Sequence, residues 1–513
     1  MTPVKPLNQH FDVLVIGGGP GGYVAAIRAA QLGRTVALVD KERLGGVCLN
    51  WGCIPTKAML RSAEVLETVR GAEEFGVLAE GVRLDYSAVL KRKDGIVSRL
   101  TDGIAHLLKA NGVTVVNGHA RFTDPHTVAV HESGPSPLGE DGPLYATPPT
   151  PQPARETLSA DDIIIATGSQ PLMPDLPGSD LPGVITSDGA FLLPEVPARA
   201  VVVGGSAVGA EWASLFRTFG AEVTLVEMAP TLLPAEDAEI GRTLTRSFTK
   251  QGIKVLTRHT VTAIEGQGEG DGEGEGEGEG EGDGVQLRAL VTDANGQPVE
   301  TLPADIVLFG VGRRPNTAGL DLEKAGVHTD DRGYIPVTDR LRTNIPHISA
   351  IGDVTGRIQL AHVASHQALV AASVVSGHDE RIDYRAVPAA TFTRPEVASV
   401  GLTEAQAREA GHETTTARFP FAALGRAHAY GATDGMVKVV ADRSSGAVLG
   451  THIIGPGASD LIAEAALAVT HGLTLTGLAD TIHAHPTLGE ATMEAAMGAL
   501  GLPLHTAPVR RRG

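Results

Sequence analysis

Gly45-Gly46-Val47-Cys48-Leu49-Asn50-Trp51-Gly52-Cys53-Ile54-Pro55-Thr56-Lys57 holds both cysteines of a 513-residue chain. Two cysteines five positions apart, with none elsewhere, are placed to react with each other. On a regular α-helix, residues five apart lie about 8–9 Å apart at Cα, whereas a disulfide spans roughly 4.4–6.8 Å. A Cys48–Cys53 bridge therefore calls for an irregular segment. Gly52 supplies backbone freedom, and Pro55 turns Ile54 away from helical angles. So short a loop adds little stability, because loop-closure entropy grows with length. The functional reading is a redox disulfide that opens and closes. The structural alternatives are two inert buried thiols or half of a metal site, and no further cysteine exists to complete a zinc thiolate cluster.

Upstream, residues 11–16 form an apolar run that predicts a buried strand. Gly17-Gly18-Gly19-Pro20-Gly21-Gly22 follows, then a helical pattern over 23–32 and a strand over 35–39 that ends on Asp40. In this strand–turn–helix–strand–acid order, Gly17, Gly19 and Gly22 permit a tight turn and let backbone amides approach a pyrophosphate. The helix N-terminus stabilises the phosphate charge, and Asp40 accepts bonds from a ribose. The design repeats downstream. A strand over 200–203, a turn from Gly204 to Gly209, a helix over 211–219 and a strand over 222–226 lead to Glu227. Ser206 replaces the middle glycine and brings a Cβ towards the phosphate. Glu227 would bond a ribose diol and repel a 2′-phosphate, which favours NAD over NADP.

Between and beyond these units, residues 56–70 and 87–110 carry amphipathic helical patterns, and 113–116 and 126–131 read as strands. Residues 132–159, rich in proline and glycine, read as a surface excursion. Residues 162–168 form a buried strand opening into a turn at Ala166-Thr167-Gly168. Residues 265–284, Gln267 apart, alternate glycine with Glu or Asp; such a tract buries nothing and repels itself. It reads as a disordered hairpin tip between strands at 261–264 and 285–291. A strand over 305–312 precedes Arg313, and a strand over 348–353 ends on Asp353. A helix then runs from Ala361 to Ser376; its N-terminus suits an anionic ring, and Asp353 a polyol hydroxyl. After residue 387, strands at 436–441 and 448–454 and helices at 458–470 and 490–499 flank His483-Ala484-His485-Pro486-Thr487-Leu488-Gly489-Glu490. A His with a Glu five residues on can form an oriented acid–base pair; on spacing alone, a surface His with an unrelated Glu stands level with it.

The composition is 42% apolar and 20% charged, with a formal net charge of −18. That charge argues against nucleic acid or an anionic membrane as the main partner. Eight of the acids, with no base among them, fall in 266–284, leaving −10 for the rest. Residues 1–9 lack the apolar core of a signal peptide, and no apolar run is long enough to span a bilayer. The expectation is a soluble cytoplasmic protein, in a compartment where a disulfide is more often catalytic than structural.

Together these pieces resemble the pyridine nucleotide–disulfide oxidoreductases over nearly the whole chain. The resemblance rests on the cysteine stretch, on Ala166 to Gly168, on Ala350 to Asp353, and on Phe392-Thr393-Arg394-Pro395-Glu396-Val397-Ala398-Ser399-Val400-Gly401. His483 to Glu490 is similar to the signature of the members that oxidise dihydrolipoamide. It implies an α/β fold of two Rossmann-like nucleotide-binding domains, for FAD and NAD, with an α+β dimerisation domain at the C-terminus. The implied boundaries are 1–195 (first part of the FAD domain), 196–312 (NAD domain), 313–386 (FAD/central part) and 387–513 (dimerisation). It also implies that Cys48 is the interchange thiol and Cys53 the thiol against the flavin, with Lys57 and Glu211 paired beside the ring. His485 and Glu490 would serve the other subunit of a homodimer. Cofactor contacts are implied at Gly17, Gly19, Gly22, Asp40, Lys57, Thr167, Gly168, Gly204, Gly209, Glu227, Gly312, Arg313, Asp353 and Ala361. The implied partner is a lipoyl-bearing protein of a 2-oxoacid dehydrogenase or glycine cleavage complex.

The sequence departs from the family pattern at Asp40, where Glu is common, and at Ser206. Two rival readings fit less well. A glutathione-type reductase would prefer NADPH, against Glu227, and a mercuric reductase needs a C-terminal cysteine pair that 502–513 lack. A flavin- and NAD-binding scaffold would have no need of Cys48, Cys53, His485 and Glu490 together.

Overall fold

The apolar runs become the central, parallel strands of two sheets, the first of which ends in an antiparallel pair, Thr127–His131 and His119–Asp124. The computed structural model describes residues 8–133, 136, 153–266 and 286–507. The body of the proline-rich stretch, residues 267–285 of the acidic tract, and both chain ends fall outside the described residues. In the first sheet Asn8–Ile16 lies between Val36–Asp40 and Glu156–Ile165, with Thr114–Asn117 on the outer side and Ile348–Ala350 also on Glu156–Ile165, all parallel. Val13, Leu14 and Val15 are fully buried, as strands covered on both faces require. Register sets what emerges at the sheet's carboxyl edge. Ile16 pairs with Val39 and with Ile165, and Ile165 with Ala350. Gly17, Asp40, Ala166 to Gly168 and Gly352-Asp353 therefore leave the sheet side by side.

The second sheet repeats the arrangement. Arg199–Val203 lies between Glu222–Glu227 and Ile306–Phe309, with Lys254–Thr257 and Val184–Thr186 at the edges. Val203 pairs with Val226 and with Phe309, so Gly204, Glu227 and Gly310 share one edge. Val184–Thr186 joins this sheet from before residue 196. Arg313–Pro315 pairs back onto Ser169–Pro171 by the first. A three-stranded meander carries the acidic tract: His259–Gly266 and Leu287–Asp293 pair antiparallel with Gly266 opposite Leu287. The C-terminal sheet is antiparallel, in the order Ala389–Thr391, Glu396–Gly401, Val448–Gly455, Met436–Asp442, Thr414–Pro420. Among the described residues no helix is long and apolar enough to cross a membrane.

Several expectations shift. Residues 156–159, read as excursion, already belong to the strand Glu156–Ile165. The strand expected to end on Asp353 stops at Ala350, and Asp353 sits in a 3-10 turn, Gly352–Thr355. His119–Asp124 and Thr414–Pro420 are strands the pattern did not announce; their polar residues blur the apolar alternation on which such readings rest.

Candidate active site

The cysteine stretch is more helical than its spacing suggested. Gly46–Asn50 and Cys53–Arg70 are two helices, broken at Trp51-Gly52, where Gly52 has φ −149 and ψ −109. Gly52 acts as expected, but Ile54 and Pro55 lie inside the second helix. Pro55 occupies the first turn, where a backbone N–H would have no intrahelical partner anyway. Gly46 shows why this stretch sits where it does. Its φ is +56, and a Cβ there would lie 2.7 Å from Gly19 Cα. The Gly45 amide donates to Gly18 O at 2.8 Å. The dithiol is thus docked, backbone on backbone, against the first glycine turn.

Both cysteines are free thiols, partly buried, with Cys48 hydrogen-bonded to Cys53. That bond, reinforced by burial, pushes the Cys48 thiol well above its ordinary range. Accepting the same bond lowers Cys53 despite burial, and the nearby Lys57 ammonium adds to the effect. Cys53 also stands at the N-terminus of an 18-residue helix, where the dipole favours a thiolate.

Lys57 lies one turn further along that helix. Its ammonium meets both carboxylate oxygens of Glu211, at 2.9 and 2.8 Å. Glu211 is 7% exposed at its side chain, on the helix Ala207–Phe219 of the second nucleotide unit. It also accepts the Phe392 amide at 2.8 Å, and Lys57 Nζ lies 4.7 Å from the Phe392 ring centroid. One ion pair therefore joins the redox helix, the second nucleotide unit and the C-terminal part.

A cavity of about 690 Å³ opens between these groups and the carboxyl edge of the first sheet. It is lined by Gly17, Gly19, Asp40, Cys48, Cys53, Lys57, Thr167, Gly168, Glu211, Arg313, Asp353 and Ala361, among others. Gly17, at φ +103, leaves 2.4 Å between an added Cβ and Ala166 O, and a Cβ on Gly22 would meet Gly17 O at 1.7 Å. Gly22 is thus a close-packing glycine and does not line the cavity. Gly19 does line it; a Cβ there would meet nothing nearer than Gly46 Cα at 3.8 Å. The helix Pro20–Gln31 starts on Gly19 without a side-chain cap, leaving first-turn amides for an anion. Asp40 accepts the Gly18 amide at 2.6 Å and the Glu42 amide at 3.0 Å. Burial still pushes its carboxyl up to about 6, against those two bonds. Beyond the expected ribose contact, then, this acid staples the glycine turn. Thr167 Oγ1 is buried in the wall with no partner among the described residues. A cavity of this volume, with an uncapped helix start, a half-buried acid and an orphaned hydroxyl, fits FAD.

The second turn repeats the staple. Glu227 accepts the Gly205 amide at 2.5 Å and the Ala229 amide at 2.6 Å. Gly209 repeats Gly22, with an added Cβ 1.8 Å from Gly204 O. Ser206 turns its hydroxyl onto Gly310 O at 3.0 Å, away from the uncapped start of the helix Ala207–Phe219. Those free amides fit a dinucleotide, so Ser206 obstructs less than its Cβ suggested. Gly204, Gly209, Glu227 and Gly312 lie outside the first cavity.

Sequence reasoning missed three wall residues. Ser169 Oγ accepts Arg313 Nε at 2.6 Å and donates to Asp353 Oδ2 at 2.5 Å. Asn316 Nδ2 donates to Thr167 O at 3.0 Å, and Phe392 seats Glu211. Ser169 follows Ala166 to Gly168 directly, which is the one signal that pointed to it.

Structure also separates the two histidines. His483 uses both ring nitrogens, on Glu464 and on Thr481 O, each at 2.8 Å. His485 Nδ1 meets Glu490 Oε1 at 2.8 Å, and Glu490 Oε2 accepts the Thr487 amide at 2.8 Å. Burial opposes the charge on Glu490, but these bonds outweigh it and hold the carboxyl below its usual range. The His485 side chain is 78% exposed and does not line the cavity.

Two dinucleotide turns, one of them against a dithiol, define a dithiol oxidoreductase that uses two dinucleotides. Residues 11–368 match the family described as pyridine nucleotide-disulphide oxidoreductase, and 387–496 match its dimerisation domain. The dihydrolipoyl dehydrogenase of Chlamydia muridarum is 42% identical over 98% of this chain and 100% of its own length. That of Geobacillus stearothermophilus is 43% identical over 96% and 97%. Among solved structures, the HOCl-induced flavoprotein disulfide reductase RclA of Escherichia coli, as its Cu(II) complex, superposes with a TM-score of 0.79. It is 28% identical, covering 96% of this chain and 99% of RclA. The chain belongs to the pyridine nucleotide–disulphide oxidoreductase family, among relatives that are dihydrolipoyl dehydrogenases.

Proposed function

We propose that the protein oxidises dihydrolipoamide, carried on a lipoyl-bearing protein of a cytoplasmic 2-oxoacid dehydrogenase or glycine cleavage complex, and reduces NAD to NADH. The observation that carries this reading is the dithiol opening on the same cavity as the first dinucleotide turn. His485 takes the proton from one substrate thiol, because only a thiolate attacks a disulfide. That thiolate attacks Cys48 Sγ of the oxidised pair, forming a mixed disulfide and releasing Cys53 as thiolate. The second substrate thiol, its proton passing to the departing Cys48 sulfur, attacks the substrate's own sulfur in the mixed disulfide and releases lipoamide with its disulfide closed. The electron pair and a proton are left on Cys48 and Cys53. The hydrogen bond from Cys48 and the ammonium of Lys57 support Cys53 as the thiol that stays ionised. Glu490 orients the imidazole and stabilises its protonated form. Gly17, Gly19, Asp40, Thr167 and Asp353 would hold FAD in this cavity, where it would supply the hydride chemistry that joins the dithiol to NAD.

His485 does not line its own chain's cavity and is exposed on the part matched to the dimerisation domain, which supports a site shared between two subunits. Mixing Cys48→Ser with His485→Ala subunits is then expected to restore one intact site per hybrid dimer, about half the wild-type turnover per hybrid on the stoichiometry of a composite site. Hybrids that form without recovering activity would refute the shared site.

A further inference from the structure

Lys438 lies mid-strand in Met436–Asp442 of the C-terminal sheet, and its side chain is 2% exposed. A lysine is seldom buried so fully unless it is paired, and here every donor is used. Nζ meets Asp237 at 2.9 Å, Glu239 at 2.8 Å and Glu404 at 2.9 Å. Two of these acids belong to the second nucleotide unit. Asp237 is the N-cap of the helix Ala238–Lys250: its Oδ1 accepts the Glu239 amide at 3.0 Å, while Oδ2 takes Lys438.

From Asp237 the chain leads directly back to the glycine turn. Residues 228–237 run from the acid Glu227 to this cap, and midway the Leu233 amide donates to Gly205 O at 2.8 Å. Leu233 has φ +50, a conformation costly for a branched side chain and kept only where surroundings enforce it. Gly205 is held from both sides, since its own amide donates to Glu227. A Cβ on Gly205 would sit 2.7 Å from Leu232 Cδ2 and 3.1 Å from Glu227 Cβ, so a side chain there would push on both this segment and the acid. The segment is pinned at one end by Lys438 and in the middle by Gly205.

We propose that Lys438 is a positioning residue for the second dinucleotide turn: by anchoring Asp237 it fixes segment 228–237 against Gly205 and keeps the turn in shape for NAD. This rests on reading that turn as the NAD site. It ties the nucleotide site to the same sheet that is packed by the helix Glu490–Ala499, whose first residue holds His485.

The test is NADH binding to the FAD-loaded dimer, measured by calorimetry, for wild type, Lys438→Met, Lys438→Arg and Asp237→Asn. Lys438→Met is expected to weaken NADH binding roughly 3- to 30-fold, the range of mutations that act through a packed network. It should also raise KM for NAD more than KM for dihydrolipoamide, and Lys438→Arg should recover most of the loss. If Lys438→Met does not fold, Asp237→Asn decides. It keeps a good N-cap but loses the charge that Lys438 holds, and a weakening in the same direction is expected. A lowered unfolding midpoint with unaltered NADH affinity in folded variants would overturn the positioning role. Failure of the wild-type protein to bind NADH would instead overturn the nucleotide reading beneath it.

Discussion

Cys53→Ser should lose dihydrolipoamide oxidation by about 10⁴-fold or more, as when a nucleophile acting within a unit is removed, yet still take up a thiol adduct on Cys48. Cys48→Ser should lose as much and form no adduct. The geometry gives the reason. Cys53 begins an 18-residue helix and accepts the hydrogen bond from Cys48, so it is the better leaving thiolate when the disulfide is attacked. With Cys53 gone, Cys48 can still exchange with a simple disulfide whose departing thiol is not tethered, and no neighbouring thiol remains to resolve the mixed disulfide. Mass spectrometry of each variant after exposure to 2-hydroxyethyl disulfide, which has no tethered second thiol, reads the adduct directly. An adduct on Cys53 in the Cys48→Ser protein, with none in Cys53→Ser, would reverse the assignment of the two thiols.

His485→Ala should cost about 10²- to 10⁴-fold in turnover with dihydrolipoamide, the usual worth of a positioned general base. Glu490→Gln removes a charge-assisted hydrogen bond worth about 1.5–3 kcal/mol and should cost roughly 10- to 100-fold. Because Glu490 is held below the usual carboxylate range, its support is present at neutral pH and fades only as the pH falls through that lowered value. The gap between wild type and Glu490→Gln should therefore be constant near neutrality and close only in acid. His483→Ala is the control on the same loop. Its two nitrogens are spent on Glu464 and Thr481, so any loss there should follow stability. A His483→Ala loss equal to that of His485→Ala, in a stable protein, would contradict the choice between them. Rapid-mixing measurement of the reductive half-reaction checks all three variants.

Much of this site was legible because its chemistry needs residues with strong local signatures. Gly17 and Gly204 begin turns that tolerate no Cβ, and Asp40 and Glu227 each lie 23 residues on, at the end of the next strand. The cysteines were visible by their rarity. Pro55 misled because its restraint on Ile54 holds on average, while the first turn of a helix accepts both residues. The staple from each acid to its glycine turn was not legible, since a carboxylate's partner depends on register and not on order. Glu211 meets Lys57 across 154 positions, and Lys438 meets Asp237 across 201. No spacing announces such pairs; family resemblance supplied the first, and only the fold supplies the second. The choice of His485 over His483 likewise became physical once the competing partners of His483 were in view.

Steady-state reduction of NAD by free dihydrolipoamide, run beside NADPH-driven reduction of oxidised glutathione, tests the central claim most directly. Fast NADH formation from dihydrolipoamide, with no glutathione reduction, is the predicted result. A flavin-loaded protein that leaves NAD unreduced by dihydrolipoamide would contradict it, and would send attention back to His485, Glu490 and the second glycine turn.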